Sequence, residues 1–466
     1  MKRFSVILFL FFFVQLSAQK ANNNFPQPTQ SQLQWHEMEF YLFTHFGPNT
    51  FTDKEWGTGN ETEDAFNPTQ LDCKQWCRVA KEAGAKGIII TAKHHDGFCL
   101  WPSKYSTHTV RESKWKNGKG DVLKELSDAC KEYGLKFGVY ISPWDRNHPK
   151  YGTAEYNDVF INMMKELFSN YGPITELWWD GANGEGPNGK KQAYDWHRFE
   201  RTVHELSPNT VVFSDIGPDI RWVGNENGIA GKTNWNLLDT AGFSRGLGAP
   251  PNDTLREGNV NGKNWIPAEC DVSIRPGWFY HANEDEKVKS AEQLFDLYLK
   301  SVGRGANLLL NVPPDRRGLI NEKDAASLIG FKKLRDENFK NNLLKRAMEI
   351  DKSHKSLDGK TEIVRMLILK EPIKINCLVL KEPIQNGQLI KNVDIILSNH
   401  GTEQKKISIT TIGRKRIISF PTEEVSEISF IITHAKAKPQ FGEIAGYLMD
   451  EKLIEQERFL WTSDRI

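Results

Sequence analysis

Three apolar runs in the first part of the chain end in the same way. Phe40-Tyr41-Leu42-Phe43-Thr44-His45-Phe46-Gly47, Gly87-Ile88-Ile89-Ile90-Thr91-Ala92-Lys93-His94-His95-Asp96-Gly97 and Leu177-Trp178-Trp179-Asp180-Gly181 each read as a buried strand closing on proton-handling or hydrogen-bonding side chains. α/β barrels assemble their active sites at the carboxyl ends of successive parallel strands. The recurrence therefore predicts a barrel with its chemistry at one mouth. Further strand-like runs at 136–142, 176–179, 210–215 and 307–312, with weaker ones at 221–224 and 267–273, alternate with helical segments at 70–83, 121–133, 159–169, 194–206 and 291–302. Gly84 and Gly134 stand where helices should stop. This alternation fits a (β/α)8 TIM-like barrel better than a doubly wound sheet, which would carry a Gly-rich phosphate turn after its first strand. The stretch 218–265 lacks helical periodicity and is rich in Gly, Asn and Asp, the texture of a long functional loop.

Past residue 345 the texture changes. Runs at 361–369, 375–381, 392–397, 406–412, 416–419 and 427–433 alternate or stay apolar between Gly, Asn and Pro turns, which predicts an antiparallel β-sandwich. At the other end, Met1-Lys2-Arg3, an apolar run over 4–14 and Ser17-Ala18 before Gln19 have the layout of a secretory signal peptide. Its apolar core is too short to span a bilayer. The expected division is a signal peptide at 1–18, a barrel at 19–344 and a C-terminal sandwich at 345–466, in an exported (periplasmic or secreted) protein without membrane insertion. Without Lys2 and Arg3 the 61 basic side chains fall to 59 against 60 acidic ones, which gives no reason to expect nucleic acid as a partner. The 14 Trp, 26 Phe and 11 Tyr, many near polar strand ends, suit a neutral amphipathic ligand such as a sugar. The six cysteines show no Cys-x-x-Cys spacing and are expected to be buried free thiols.

Asp180, at a barrel mouth behind two tryptophans, is placed to attack an electron-poor carbon. A retaining glycosidase needs a second carboxyl group about 5 Å away, acting first as acid and then as base. Glu226, bracketed by Gly224 and Gly228 and preceded by Trp222, is the best candidate; Asp215, Asp219, Glu269 and Asp271 compete, and spacing alone does not choose among them. His45, His94 and His95 read as neutral imidazoles that exchange hydrogen bonds with sugar hydroxyls. Neighbours on a strand face opposite ways, so His94 and His95 can share a ligand only if the chain has begun to turn. Later strand ends offer Tyr140, Trp178, Asp180 and Asp215 but no further histidine, so neither a catalytic metal nor a cofactor is expected. Glu55-Trp56-Gly57 follows the first strand closely enough to cover its mouth, with Glu55 accepting from hydroxyls and Trp56 lying on an apolar sugar face. Trp278 is placed to meet an exocyclic methyl group.

Taken in order, Thr44-His45-Phe46-Gly47, Glu55-Trp56-Gly57, Lys93-His94-His95-Asp96-Gly97-Phe98, Trp178-Trp179-Asp180-Gly181 and Asn307-Leu308-Leu309-Leu310-Asn311 resemble the α-L-fucosidases of glycoside hydrolase family 29, over about 35–314. The resemblance implies retaining double displacement with Asp180 as nucleophile, and a fucose pocket lined by His45, Glu55, Trp56, His94, His95, Tyr140 and Trp178. The stretches Arg221 to Glu226 and Ser273 to Trp278 resemble the subgroup acting on α-1,3 and α-1,4 linkages, which implies Glu226 as acid/base. A fucosylated oligosaccharide or glycoconjugate is then the expected substrate. The alternatives are a broader fucosidase that also takes α-1,2 or α-1,6 linkages, a fucose-binding protein without turnover, and a metal-dependent hydrolase built on His45, His94, His95 and Asp180. The expected role of the C-terminal domain is to cover apolar barrel surface; no motif encodes the oligomeric state.

Overall fold

The computed structural model describes residues 25–246, 248–355 and 361–454; the leader expected at 1–18 lies outside the described residues. Eight parallel strands close into a barrel: β1 (Phe40–Thr44), β2 (Gly87–Lys93), β3 (Lys136–Ile141), β4 (Glu176–Trp178), β5 (Val211–Ser214), β6 (Ile220–Trp222), β7 (Ala268–Ser273) and β8 (Asn307–Asn311). Each pairs with its neighbour in the chain, and β8 returns to β1 with Phe40 opposite Leu308.

The period of two along each strand sorts the side chains. On β1, Phe40 and Leu42 join the outer core beneath the helices, while Tyr41 and Phe43 point into the barrel. Leu177 and Trp179 likewise face outward and Trp178 inward, and Leu308 and Leu310 flank an inward Leu309. Asp180, His45, Ser273 and Asn311 therefore continue inward-facing columns to the mouth.

The outer helices are α1 (Cys73–Glu82), α2 (Val122–Tyr133), α3 (Tyr156–Asn170), α4 (Trp196–Leu206), α5 (Ala291–Lys300) and α6 (Glu322–Asn338). Asp72, Asp121, Asp195, Ser290 and Asn321 each cap a helix by accepting from a first-turn amide. Such caps are worth about 1 kcal/mol apiece. Gly134 ends α2 in the left-handed region at φ 68°, as its position in the sequence suggests.

The alternation of strand and helix breaks at one place. No helix separates β5 from β6; residues 215–219 turn the chain directly, with Gly217 at φ 103° and Asp219 pinned to Val212 by a side-chain bond of 2.8 Å and a backbone bond of 3.2 Å. Between β6 and β7 lies a long excursion over 223–267. The sequence suggests a long functional loop without helical periodicity over 218–265; that stretch instead holds a short helix (Asn252–Glu257) and an antiparallel ladder of Leu237–Leu238 with Asn264–Trp265.

After α6 the chain enters an antiparallel sheet: β9 (Met348–Lys355), β10 (Thr361–Leu380), β11 (Ile390–Asn399), β12 (Thr402–Ile409), β13 (Arg416–Ala435) and β14 (Ile444–Tyr447). The runs expected at 361–369 and 375–381 are one strand, as are those at 416–419 and 427–433. Pro372 and Pro421 mark irregularities within these long strands, and the register shifts between Ile368 and Ile373. One apolar cluster runs from the barrel helices into Cys377, Val379, Ile417 and Ala445, so the sheet does cover apolar barrel surface. All six cysteines are buried and free. Among the described residues, no helix is long and apolar enough to cross a membrane.

Candidate active site

β4 ends at Trp178, and two residues later Asp180 stands at the mouth with its side chain 24% exposed. Tyr140, from β3, donates its hydroxyl to Asp180 Oδ2 at 3.0 Å, and the Ala182 amide donates to Oδ1 at 2.7 Å. The carboxylate is thus aimed by two donors and still reaches solvent. Tyr140 is buried, and burial together with the Asp180 charge pushes its pKa up, so it stays a donor. Trp178 lies under both, stacked on Tyr140 at 5.3 Å and on Phe213 at 4.0 Å.

The histidines gather opposite. β2 ends at Lys93, and the Gly97 amide bonds back to the His94 carbonyl at 3.0 Å, so the chain has already turned. The His94 and His95 rings therefore lie side by side, 4.2 Å apart. Burial holds His45 at about 3 and His95 at about 4, and pushes His94 well below its usual value, so all three are neutral at neutral pH. Their tautomers follow from the network. The Asn311 amide nitrogen donates to Ser273 Oγ (2.9 Å) and the Trp278 carbonyl (2.7 Å), so Asn311 Oδ1 accepts from His45 Nδ1 at 2.9 Å. Ser142 gives its proton to the Trp144 carbonyl and accepts from His95 Nδ1 at 2.7 Å. Both histidines then present a bare Nε2. That of His95 faces Asp180 Oδ2 at 3.8 Å, a gap suited to a hydroxyl that donates to either atom.

Glu226 follows β6 in the 223–267 excursion. Its Oε2 accepts from Trp278 Nε1 at 3.2 Å, and its side chain reaches solvent across the mouth. The protein around it still raises its pKa; burial is the largest cause, and the Asp180 and Glu55 charges add to it against the Trp278 bond. Trp278 is half-buried, with its ring 5.1 Å from that of His45. Trp56 is 54% exposed and sets its edge against His95 (5.3 Å) and Trp144 (5.5 Å) as a rim aromatic.

Glu55 does something the sequence does not suggest. Its carboxylate accepts from the backbone amides of Trp278 (2.8 Å) and Phe279 (3.1 Å) and bonds to His281 Nε2 (2.7 Å). It fastens the loop after β7 that carries Trp278. The competing carboxylates also separate. Glu269 lies at the opposite end of the barrel, fully buried, accepting from Trp178 Nε1 (2.8 Å) and from the Tyr41 hydroxyl. Asp219 is used in the β5–β6 turn. Asp271 is buried inside the barrel with Oδ1 unpartnered, and burial followed by the Glu226 and Glu269 charges pushes its pKa well up. Asp215 sits so close against Gly181 that a Cβ there would clash with its carboxylate, and burial beside Asp180 raises it to about 6. Sequence reasoning missed Asn311, Ser142 and Phe279 as site residues. The parity of 307, 309 and 311 on β8 marks Asn311 as inward, whereas Phe279, packed on His45 and His94 at 5.4 and 5.1 Å, carries no such signal. Among the described residues, no group of three or more His, Cys, Asp or Glu side chains is arranged to hold a metal ion.

A family model described as alpha-L-fucosidase matches residues 14–333. The chain is 40% identical to an Arabidopsis thaliana protein named alpha-L-fucosidase 1, over 95% of this chain and 94% of that one. Among solved structures, a glycoside hydrolase 29 family member from an unknown rumen bacterium shares 42% identity with a TM-score of 0.85, covering 92% of this chain and 78% of the other. A Ruminococcus gnavus fucosidase of the same family, in complex with fucose, shares 29% identity with a TM-score of 0.82, covering 92% and 96%. With the carboxylate, tyrosine and histidines that converge at its barrel mouth, the chain belongs to the α-L-fucosidase family of glycoside hydrolases, family 29.

Proposed function

We propose that this α-L-fucosidase is an exo-acting, retaining enzyme that removes terminal fucose from α-1,3- and α-1,4-linked branched glycans. The observation that carries the reading is the unequal pair at the mouth: Asp180, oriented by Tyr140 and Ala182, and Glu226, raised by burial and by the Asp180 charge. Asp180 attacks C1 of fucose as the bond to the leaving oxygen breaks, and Glu226 gives that oxygen its proton. Water then attacks C1 of the fucosyl-enzyme, its proton passes to Glu226, and the Asp180 carboxylate is released with the anomeric configuration kept. The oxocarbenium-like transition state gains from the carboxylate beside it. The bare Nε2 atoms of His45 and His95 accept from fucose hydroxyls, and Trp278 lies against the C6 methyl.

Linkage preference rests on the resemblance of Arg221–Glu226 and Ser273–Trp278 to the α-1,3/1,4 subgroup. Digestion of a panel of 2-, 3-, 4- and 6-linked fucosyl oligosaccharides tests it: release from the 3- and 4-linked members is expected, and equal release from all four contradicts it. The leader pattern at 1–18 supports export, and N-terminal sequencing of the native protein checks it by a start near Gln19.

A further inference from the structure

We propose that the C-terminal sheet sets the position of the Glu226 loop through one buried amide, Gln388, acting on Asn234 and Arg221. This rests on the reading of Glu226 as acid/base. Among the described residues Glu226 has one side-chain anchor, the Trp278 indole, and otherwise reaches solvent, so its place is set by the backbone that carries it. That backbone is tightly seated. Gly224 and Gly228 adopt φ of 83° and 72°, and a Cβ on Gly224 would lie 2.7 Å from the Asn252 carbonyl of the short helix in the excursion. Asn225 closes the tip, accepting from the amides of Asn227 (3.1 Å) and Ile229 (3.3 Å).

The excursion is held in turn by Arg221, whose fully buried guanidinium donates to the carbonyls of Leu255 (2.8 Å), Ile266 and Trp235 (3.0 Å) and to Asn234 Oδ1 (3.1 Å). One side chain of β6 therefore gathers three stretches of the excursion against the strand that leads into Glu226. Gln388, 1% exposed and just before β11, fixes the same stretch from the sheet side. Its Oε1 accepts from the Asn236 amide (2.8 Å) and side chain (3.1 Å), and its Nε2 donates to the Asn234 carbonyl (3.0 Å) and to Thr411 Oγ1 (2.6 Å). Thr233 and Thr410 add a second tie at 2.9 Å. Buried polar networks of this kind are rigid when complete and costly when broken. The sheet thus acts as a positioning element for acid catalysis in addition to covering apolar surface.

The test uses the whole enzyme and a series of aryl α-L-fucosides running from dinitrophenyl to phenyl. Rates are normalised to the sites titrated by 2-deoxy-2-fluoro-α-L-fucosyl fluoride, whose leaving group needs no acid. Gln388→Leu should lower kcat/KM about tenfold or more on the phenyl fucoside, as an acid displaced by a fraction of an ångström would. On the dinitrophenyl fucoside the loss should stay within about twofold. If Gln388→Leu does not fold, Gln388→Asn, which keeps the amide but shortens its reach, should show the same steepened dependence. Equal losses across the series, or none, would overturn the proposal. Glu226→Ala in the same series separates the two ideas: a flat dependence there means that Glu226 is not the acid, whereas a steep one beside a flat Gln388 variant removes only the role of the sheet.

Discussion

At the floor of the barrel Glu176 and Glu269 lie beneath Trp178, while at the mouth Asp180 and Glu226 approach from separate loops. The floor pair is fully buried and met by the Tyr41 hydroxyl and the indoles of Trp35 and Trp178. Burial pushes both carboxyl groups up, with the Glu269 charge adding at Glu176, and two groups so placed cannot both ionise. The mouth pair reaches solvent, Asp180 is held by two donors, and Glu226, though its side chain reaches solvent, is raised by the protein crowded around it and by the Asp180 and Glu55 charges. Residue type is the same at both ends. What separates the two ends is access to a substrate: Asp180 is held by as many donors as Glu269, yet only the mouth pair reaches solvent.

Breaking each end should show this. Asp180→Ala should cut kcat/KM by at least about three orders of magnitude with little change in Tm, because an attacking group is lost and no packing is. Glu226→Ala should lose roughly 10²–10⁴-fold on oligosaccharides, and azide should restore turnover of an activated aryl fucoside as fucosyl azide. Tyr140→Phe removes one hydrogen bond to a charged group, about 1.5–3 kcal/mol, and should cost roughly tenfold to a hundredfold in kcat. At the floor, Glu269→Gln should leave kcat nearly unchanged and lower stability by about 1–3 kcal/mol in denaturant unfolding. A large kcat loss from Glu269→Gln with unchanged stability would erase the distinction between the two ends. Smallest in size is the pH effect. In the proposed role Glu226 must be protonated to act as acid, and its raised pKa would keep it so to higher pH, so activity should fall as pH rises through that value. Glu226→Gln should remove that alkaline limb from the pH profile.

The mouth was readable from sequence where strand parity and polarity coincide. His45 and Asp180 each end an inward column, and the apolar residues below them already signal which way they face; Asn311 ends a third such column on β8 but was missed as a site residue. Glu226 was readable as a candidate but not as a choice. What separates it from Glu269 is that the latter stands at the start of β7, at the other end of the barrel, a distinction that depends on knowing where the strand begins. The weak strands at 220–222 and 268–273 are short or carry polar interior residues, so they lack the apolar density that makes β2 plain. The role of Glu55 was hidden because its partners are the backbone amides of Trp278 and Phe279, and sequence says nothing of where distant amides lie. The two 20-residue strands of the C-terminal sheet were divided in reading by Pro372 and Pro421, each of which sits where ladder pairing is already interrupted.

The most direct measurement is to trap the fucosyl-enzyme with 2-deoxy-2-fluoro-α-L-fucosyl fluoride and find the labelled peptide by mass spectrometry. Retaining double displacement at this mouth requires the label on Asp180. A label on Asp215, Glu226 or another carboxylate, or turnover with an inverted first product and no covalent adduct, would contradict it.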